Sequence, residues 1–104
     1  MGCKVLFGDV VPYEVPSSLS ALRGPAHGLL TVPVTVHWGP RRSFDLDDVA
    51  QRRVAYRAIV REGTPQMQEA LLNQAVLRRE WRRLVLPERC RKTWEDTFPE
   101  LAAA

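Results

Sequence analysis

At 104 residues, 45% of them apolar and 26% charged, the chain has the size of one globular domain and can bury roughly two-thirds of its unfolded surface. These proportions exclude a disordered chain, and the longest mostly apolar run, Leu29 to Val36, is broken by Thr31, Pro33 and Thr35 and is too short to span a bilayer. Fifteen basic residues against 12 acidic ones leave a net charge of +3, too little to define a nucleic-acid binder unless the cations cluster.

In the opening MGCKVL, Leu6 stands where an N-myristoylation signal requires Ser or Thr. No apolar stretch precedes Cys3, so no secretory signal is expected. Cys3 and Cys90 are far apart and form neither a disulfide framework nor a metal pattern, which fits a reducing cytoplasm. Residues 1–27 carry Pro12, Pro16 and Pro25 and read as a Pro-rich arm, because proline withholds a donor and restricts the residue before it. One short helical turn is expected there, capped by Ser17 or Ser18, with Leu19 and Leu22 on one side and Gly24 as its stop. KVLF, residues 4 to 7, is an optional third strand.

Residues 28–46 read as a β-hairpin. Val32, Val34, Val36 and Trp38 alternate with Thr31, Pro33, Thr35 and His37, and Phe44 and Leu46 alternate with Ser43, Asp45 and Asp47. Gly39-Pro40-Arg41 supplies the expected turn, and Pro33 places the first strand at a sheet edge. Helices are expected over about 47–62, 65–86 and 87–98, with 102–104 as a disordered tail. Asp45 or Asp47 would cap the first, whose Val49, Tyr56, Ile59 and Val60 share a buried sector; Gly63 stops it. Thr64-Pro65 starts the second as N-cap and first helical residue. On that helix Met67, Ala70, Leu77, Trp81, Leu84 and Val85 gather opposite Arg78, Arg79, Arg82 and Arg83, but Leu71, Leu72 and Val76 fall beneath the arginines. Either the first half is buried on both sides, or the helix bends or breaks near Asn73-Gln74 and resumes in a new direction; a bent or broken helix is the favoured expectation. Cys90, Trp94 and Phe98 recur every four residues on the third helix, and Pro99 stops it.

The residues that could carry chemistry favour bland readings. Asp45 and Asp47 sit two apart, as in the metal-binding pair of a nucleotidyltransferase, but no Gly-Ser or third carboxylate accompanies them upstream, and they suit helix capping. His27, His37, Cys3 and Cys90 match no zinc spacing. No nucleophile elbow or phosphate loop is present. The expectation is a protein without catalytic residues, metal or cofactor. Two basic surfaces remain. Arg53, Arg57 and Arg61 recur at four-residue spacing with no acid between them, an arrangement that costs about 0.2–0.5 kcal/mol per like-charge pair. Either Glu95, Asp96 and Glu100 fold back over that row, or a partner neutralises it. Between Arg78 and Lys92, the basic residues Arg78, Arg79, Arg82, Arg83, Arg89, Arg91 and Lys92 meet only Glu80 and Glu88.

Four stretches, GPAHGLLTVPVTVHWGPRRSFDL, YRAIVREG, LLNQAVLRREW and LVLPERCRKTWEDTFPEL, carry a resemblance that covers about residues 20 to 101. Together they resemble a group of small actinobacterial cytoplasmic proteins encoded immediately before an abortive-infection-type nucleotidyltransferase, the toxin-like half of a two-gene module. The resemblance implies an antitoxin or accessory partner of that enzyme and assigns no site residues.

The combined expectation is a single compact α+β domain: a β-hairpin, with the optional third strand, packed against three helices, with Trp38, Tyr56, Trp81, Trp94 and Phe98 in or near the core. Its function would be that of a non-enzymatic protein-binding module that contacts the nucleotidyltransferase encoded next door. The candidate partner-binding residues are Arg53, Arg57, Arg61, Arg78, Arg79, Arg82 and Arg83. The alternative is a nucleic-acid-binding transcriptional regulator using the Arg78–Lys92 surface.

Overall fold

The computed structural model describes residues 13–33 and 43–103. In chain order these form a 3-10 turn at Leu19–Ala21, β1 (Leu29–Thr31), β2 (Ser43–Asp45), α1 (Val49–Glu62), α2 (Pro65–Leu71), α3 (Gln74–Glu80), a second 3-10 turn at Trp81–Arg83, α4 (Glu88–Thr97) and α5 (Pro99–Ala103). The architecture is α+β, with one two-stranded antiparallel sheet packed on the helices.

The hairpin pairs Leu29 with Asp45, Leu30 with Phe44 and Thr31 with Ser43. Alternation sorts its faces: Leu30, Val32, Phe44 and Leu46 are buried, while Leu29, Thr31 and Ser43 face solvent. On the outer face the Thr31 and Ser43 hydroxyls are 2.9 Å apart and hydrogen-bonded. Gly28, at φ 84°, enters β1 through the left-handed region, which a side chain would strain. Its carbonyl accepts from the Leu46 N–H at 2.8 Å. Residues 32 to 42 separate the paired ends. The expected turn Gly39-Pro40-Arg41, the strand residues Val34, Val36 and Trp38, and the KVLF strand lie outside the described residues.

The first helix is capped by Asp48, whose side chain accepts from the Gln51 N–H at 3.0 Å. This corrects the expectation that Asp45 or Asp47 would cap it; both are used one turn earlier. Asp45 Oδ1 accepts from the Asp47 N–H at 2.9 Å, and the Asp45 N–H donates to Gln51 Oε1 at 2.9 Å, fixing α1 to the end of β2. Tyr56, Ile59 and Val60 are buried as expected, but Val49 is 46% exposed, because it occupies the first turn, ahead of the packed face. Gly63 ends α1, its N–H donating to the Ile59 carbonyl at 2.9 Å.

The helix expected over 65–86, with a bend or break near Asn73-Gln74, is broken there: it forms two seven-residue helices followed by a 3-10 turn. Thr64 caps α2 with Pro65 at its first position. Leu72 and Asn73 then turn extended, and Asn73 is tied on three sides. Its Oδ1 accepts from the Val76 N–H at 3.1 Å as the N-cap of α3, its N–H donates to the Tyr56 hydroxyl at 3.0 Å, and its Nδ2 donates to the Gly24 carbonyl at 3.2 Å. The arm closes on the same break: the Arg23 N–H donates to the Glu69 carbonyl at 2.8 Å and the Gly24 N–H to the Leu72 carbonyl at 2.7 Å. A Cβ on Gly24 would lie 2.2 Å from the Leu71 carbonyl oxygen, so a glycine is required for this approach. The break redirects the chain so that Leu72, Val76 and Leu77 are all buried.

Trp81, Trp94, Phe98 and Leu101 complete the core. The Trp81 and Trp94 rings lie 5.9 Å apart at 35°, and Trp94 and Phe98 lie 5.9 Å apart at 58°, tilted pairs that suit the aromatic quadrupole. Pro99 ends α4 and also opens α5, because a missing N–H is harmless at a first helical position. The helix reaches Ala103, so the expected disordered tail is helical through that residue, and Leu101 is buried. Five α-helices therefore stand among the described residues where three helices were expected.

Candidate interaction surface

The expected arginines divide into two populations around one acid. Glu80 projects from the end of α3 into the interior, its side chain 4% exposed. Arg52, on α1, donates to Glu80 Oε2 from Nε at 3.0 Å and from Nη2 at 2.7 Å, and from Nη1 to the Leu46 carbonyl at 2.9 Å. Arg53 donates from Nε to Glu80 Oε1 at 2.8 Å, and Arg79 Nε lies 3.9 Å from Oε2. Burial raises the Glu80 carboxyl pKa, but the guanidinium hydrogen bonds from Arg53 and Arg52 outweigh it and hold the group below its usual 4.5. This knot joins α1, α3 and the end of the hairpin.

Arg53, the first of the expected row, is thus occupied by Glu80. None of Glu95, Asp96 and Glu100 folds back over the row. Glu95 accepts from the Trp81 indole N–H at 2.8 Å and lies 3.9 Å from Arg91, Asp96 pairs with Lys92 at 3.1 Å, and Glu100 is exposed. Arg57 is half-buried and Arg61 exposed, and neither has an acidic partner among the described residues. Arg78, Arg82 and Arg83 are likewise exposed without an ion pair among the described residues. The structure brings Arg53 and Arg79 together on Glu80. Among the described residues, no hydrogen bond or ion pair connects Arg57 or Arg61 with the arginines at 78–83.

Arg82 and Arg83 sit on a turn held from both sides. Trp81 and Leu84 are buried, and Arg91 of α4 donates to the carbonyls of both, at 3.2 Å to Trp81 and also to Leu84. The same guanidinium lies 5.2 Å from the centroid of the Trp81 ring. Next along the chain, Val85 is 75% exposed, where the helical pattern had placed it on the core side. The 3-10 turn changes the residue spacing just before it and rotates it outward.

The other candidate groups are structural. Asp47 accepts from Gly28 N–H at 3.3 Å and lies 2.8 Å from His27 Nδ1, and the bond to His27 holds its carboxyl below 3.8. Among the described residues no group of three or more His, Cys, Asp or Glu is placed to hold a metal. Burial pushes the Cys90 thiol up to about 11 and the Tyr56 hydroxyl up to about 12, so neither is an ionised nucleophile near neutral pH. An open apolar groove of about 530 Å³ between β1 and α2 is lined by Val32, Pro33, Met67, Ala70 and Leu71 with Thr31 and Gln66. None of these side chains is ionisable, so the groove holds no acid–base pair.

Sequence reasoning missed Glu80 and Arg52. The signal was present: Glu80 follows Leu77 by three residues and precedes Leu84 by four, and Arg52 precedes Tyr56 by four. Opposite charges thus fall on two faces destined for burial. No helix among the described residues is long and apolar enough to cross a membrane. No protein-family model, curated protein or solved structure matches the chain.

Proposed function

We propose that the protein is a non-enzymatic protein-binding module, an antitoxin-like or accessory partner of the nucleotidyltransferase toxin that the family resemblance puts next to it. The observation that carries this reading is the unequal use of its arginines. Glu80 is hydrogen-bonded by Arg52 and Arg53 and lies 3.9 Å from the exposed Arg79, while Arg57, Arg61, Arg78, Arg82 and Arg83 stay without an acidic partner among the described residues. An acidic partner surface gains charge complementarity from whichever of these unpaired arginines it covers. A toxin's nucleotide pocket is basic, so a cationic module fits an acidic outer face of the enzyme rather than the pocket itself.

Co-expression with the neighbouring gene product, followed by size-exclusion chromatography, tests the proposal. The expected result is a common peak; independent elution at micromolar concentration refutes it. A nucleic-acid-binding role is favoured by one feature, the grouping of Arg78, Arg79, Arg82 and Arg83 at the end of α3. Val76 and Leu77 in the first half of α3 are buried, so such binding would rest on phosphates rather than base edges. It predicts affinity for DNA or RNA that falls steeply with salt. A flat titration at low salt ends that alternative.

A further inference from the structure

The turn that carries Arg82 and Arg83 is built more firmly than its exposure requires. The backbone is pinned before it by buried Trp81, whose indole donates to Glu95 at 2.8 Å, and after it by buried Leu84. Arg91 bridges the two, donating to both carbonyls while stacking on the indole. Between these anchors the consecutive residues Arg82 and Arg83 are exposed and without an ion pair among the described residues, and Val85 follows at 75% exposure. A single exposed aliphatic residue is ordinary on a protein surface. Here it follows two arginines that have no ion pair among the described residues, on a turn whose backbone is already anchored, so binding through this segment forfeits little backbone entropy.

We propose that Arg82, Arg83 and Val85 form the point at which the partner protein docks, and that they fit an acidic surface with an apolar recess receiving Val85. This rests on the binding-module reading above and assigns its location. A phosphate backbone has no use for an exposed valine, and Trp81 faces the core, where it cannot stack on a base. A protein interface uses both parts, since arginine is enriched in interfaces and apolar groups occupy their desolvated centre.

The test measures affinity for the co-purified product of the adjacent gene by calorimetry, with each variant first shown to keep the parent denaturation midpoint. Arg82→Glu/Arg83→Glu should weaken binding about a hundredfold and Val85→Ser about tenfold. Arg61→Glu, on the separate α1 row, should change it less than about threefold. If Arg61→Glu weakens the complex as much as the turn variants, or if the turn variants bind normally, the location is wrong while the binding-module reading survives. Absence of any complex with the parent protein overturns both. A short random-sequence DNA duplex is the parallel probe. Duplex binding that Arg82→Glu/Arg83→Glu abolishes and Val85→Ser leaves intact would assign the turn to polyanion contact and overturn the proposal.

Discussion

Glu80 and the Arg82–Arg83 turn are two residues apart, yet arginines around them do opposite work. At Glu80, guanidinium groups from α1 converge on one carboxylate that is 4% exposed and share its single negative charge. At the turn, two arginines on a comparably fixed backbone keep their charge for the exterior. Residue type does not separate the two regions; helical phase does. Position 80 lies on the stripe shared by Leu77 and Leu84, whereas 82 and 83 lie off it. A composition rich in arginine therefore says little until each residue is assigned to a face.

The largest effect that could break this contrast is at the knot. Glu80→Ala leaves Arg52, 12% exposed, buried without its counter-charge and should lower stability by about 3–5 kcal/mol in a denaturant titration. The pH dependence has a defined sign. Because the folded-state Glu80 pKa lies below 4.5, its contribution is complete above pH 4.5 and is lost as pH falls below that value. The stability difference between the parent and Glu80→Gln should therefore shrink in acid; a difference that stays constant from neutral pH down through this window would mean that Glu80 is not an ionised hub.

A smaller effect is expected at the helix break. Asn73→Ala removes the cap of α3 and the bond to Gly24, and should cost about 1–2 kcal/mol, read as a shifted denaturation midpoint. The smallest is at the turn. Arg82→Ala and Arg83→Ala should each stay within about 0.5 kcal/mol of the parent, since neither side chain has an ion pair among the described residues. A larger loss would show that the turn arginines serve stability after all and would erase the contrast with Glu80.

Much of the fold was legible because local chemistry and burial agree. The alternation that includes Val32, Phe44 and Leu46 marked the inner hairpin face, and Gly63-Thr64-Pro65 marked the junction of α1 and α2. The break at Leu72–Asn73 was signalled only as a conflict, apolar residues under an arginine face. Its resolution depends on Tyr56 and Gly24, which are 17 and 49 residues away from Asn73, beyond any local pattern. Val49 and Val85 deceived for different reasons: a helical wheel assigns angle but not depth, which misplaced Val49 in the first turn of α1, and it fails once the pitch tightens, as it does before Val85. The candidate surface was half legible. Arg82 and Arg83 stood out as an exposed group, but the pairing of Arg53 needed the tertiary placement of Glu80.

Gly24 and Asn73 meet across a long loop, and that has a kinetic meaning. Bringing distant segments together must overcome loop-closure entropy before their contacts reward it, so the seam between the arm and the α2–α3 junction is a slow element of assembly by topology. Substituting a bulkier residue at Gly24 would leave each helix's own hydrogen bonds in place while prying open the seam that joins residues 23 and 24 to the α2–α3 junction.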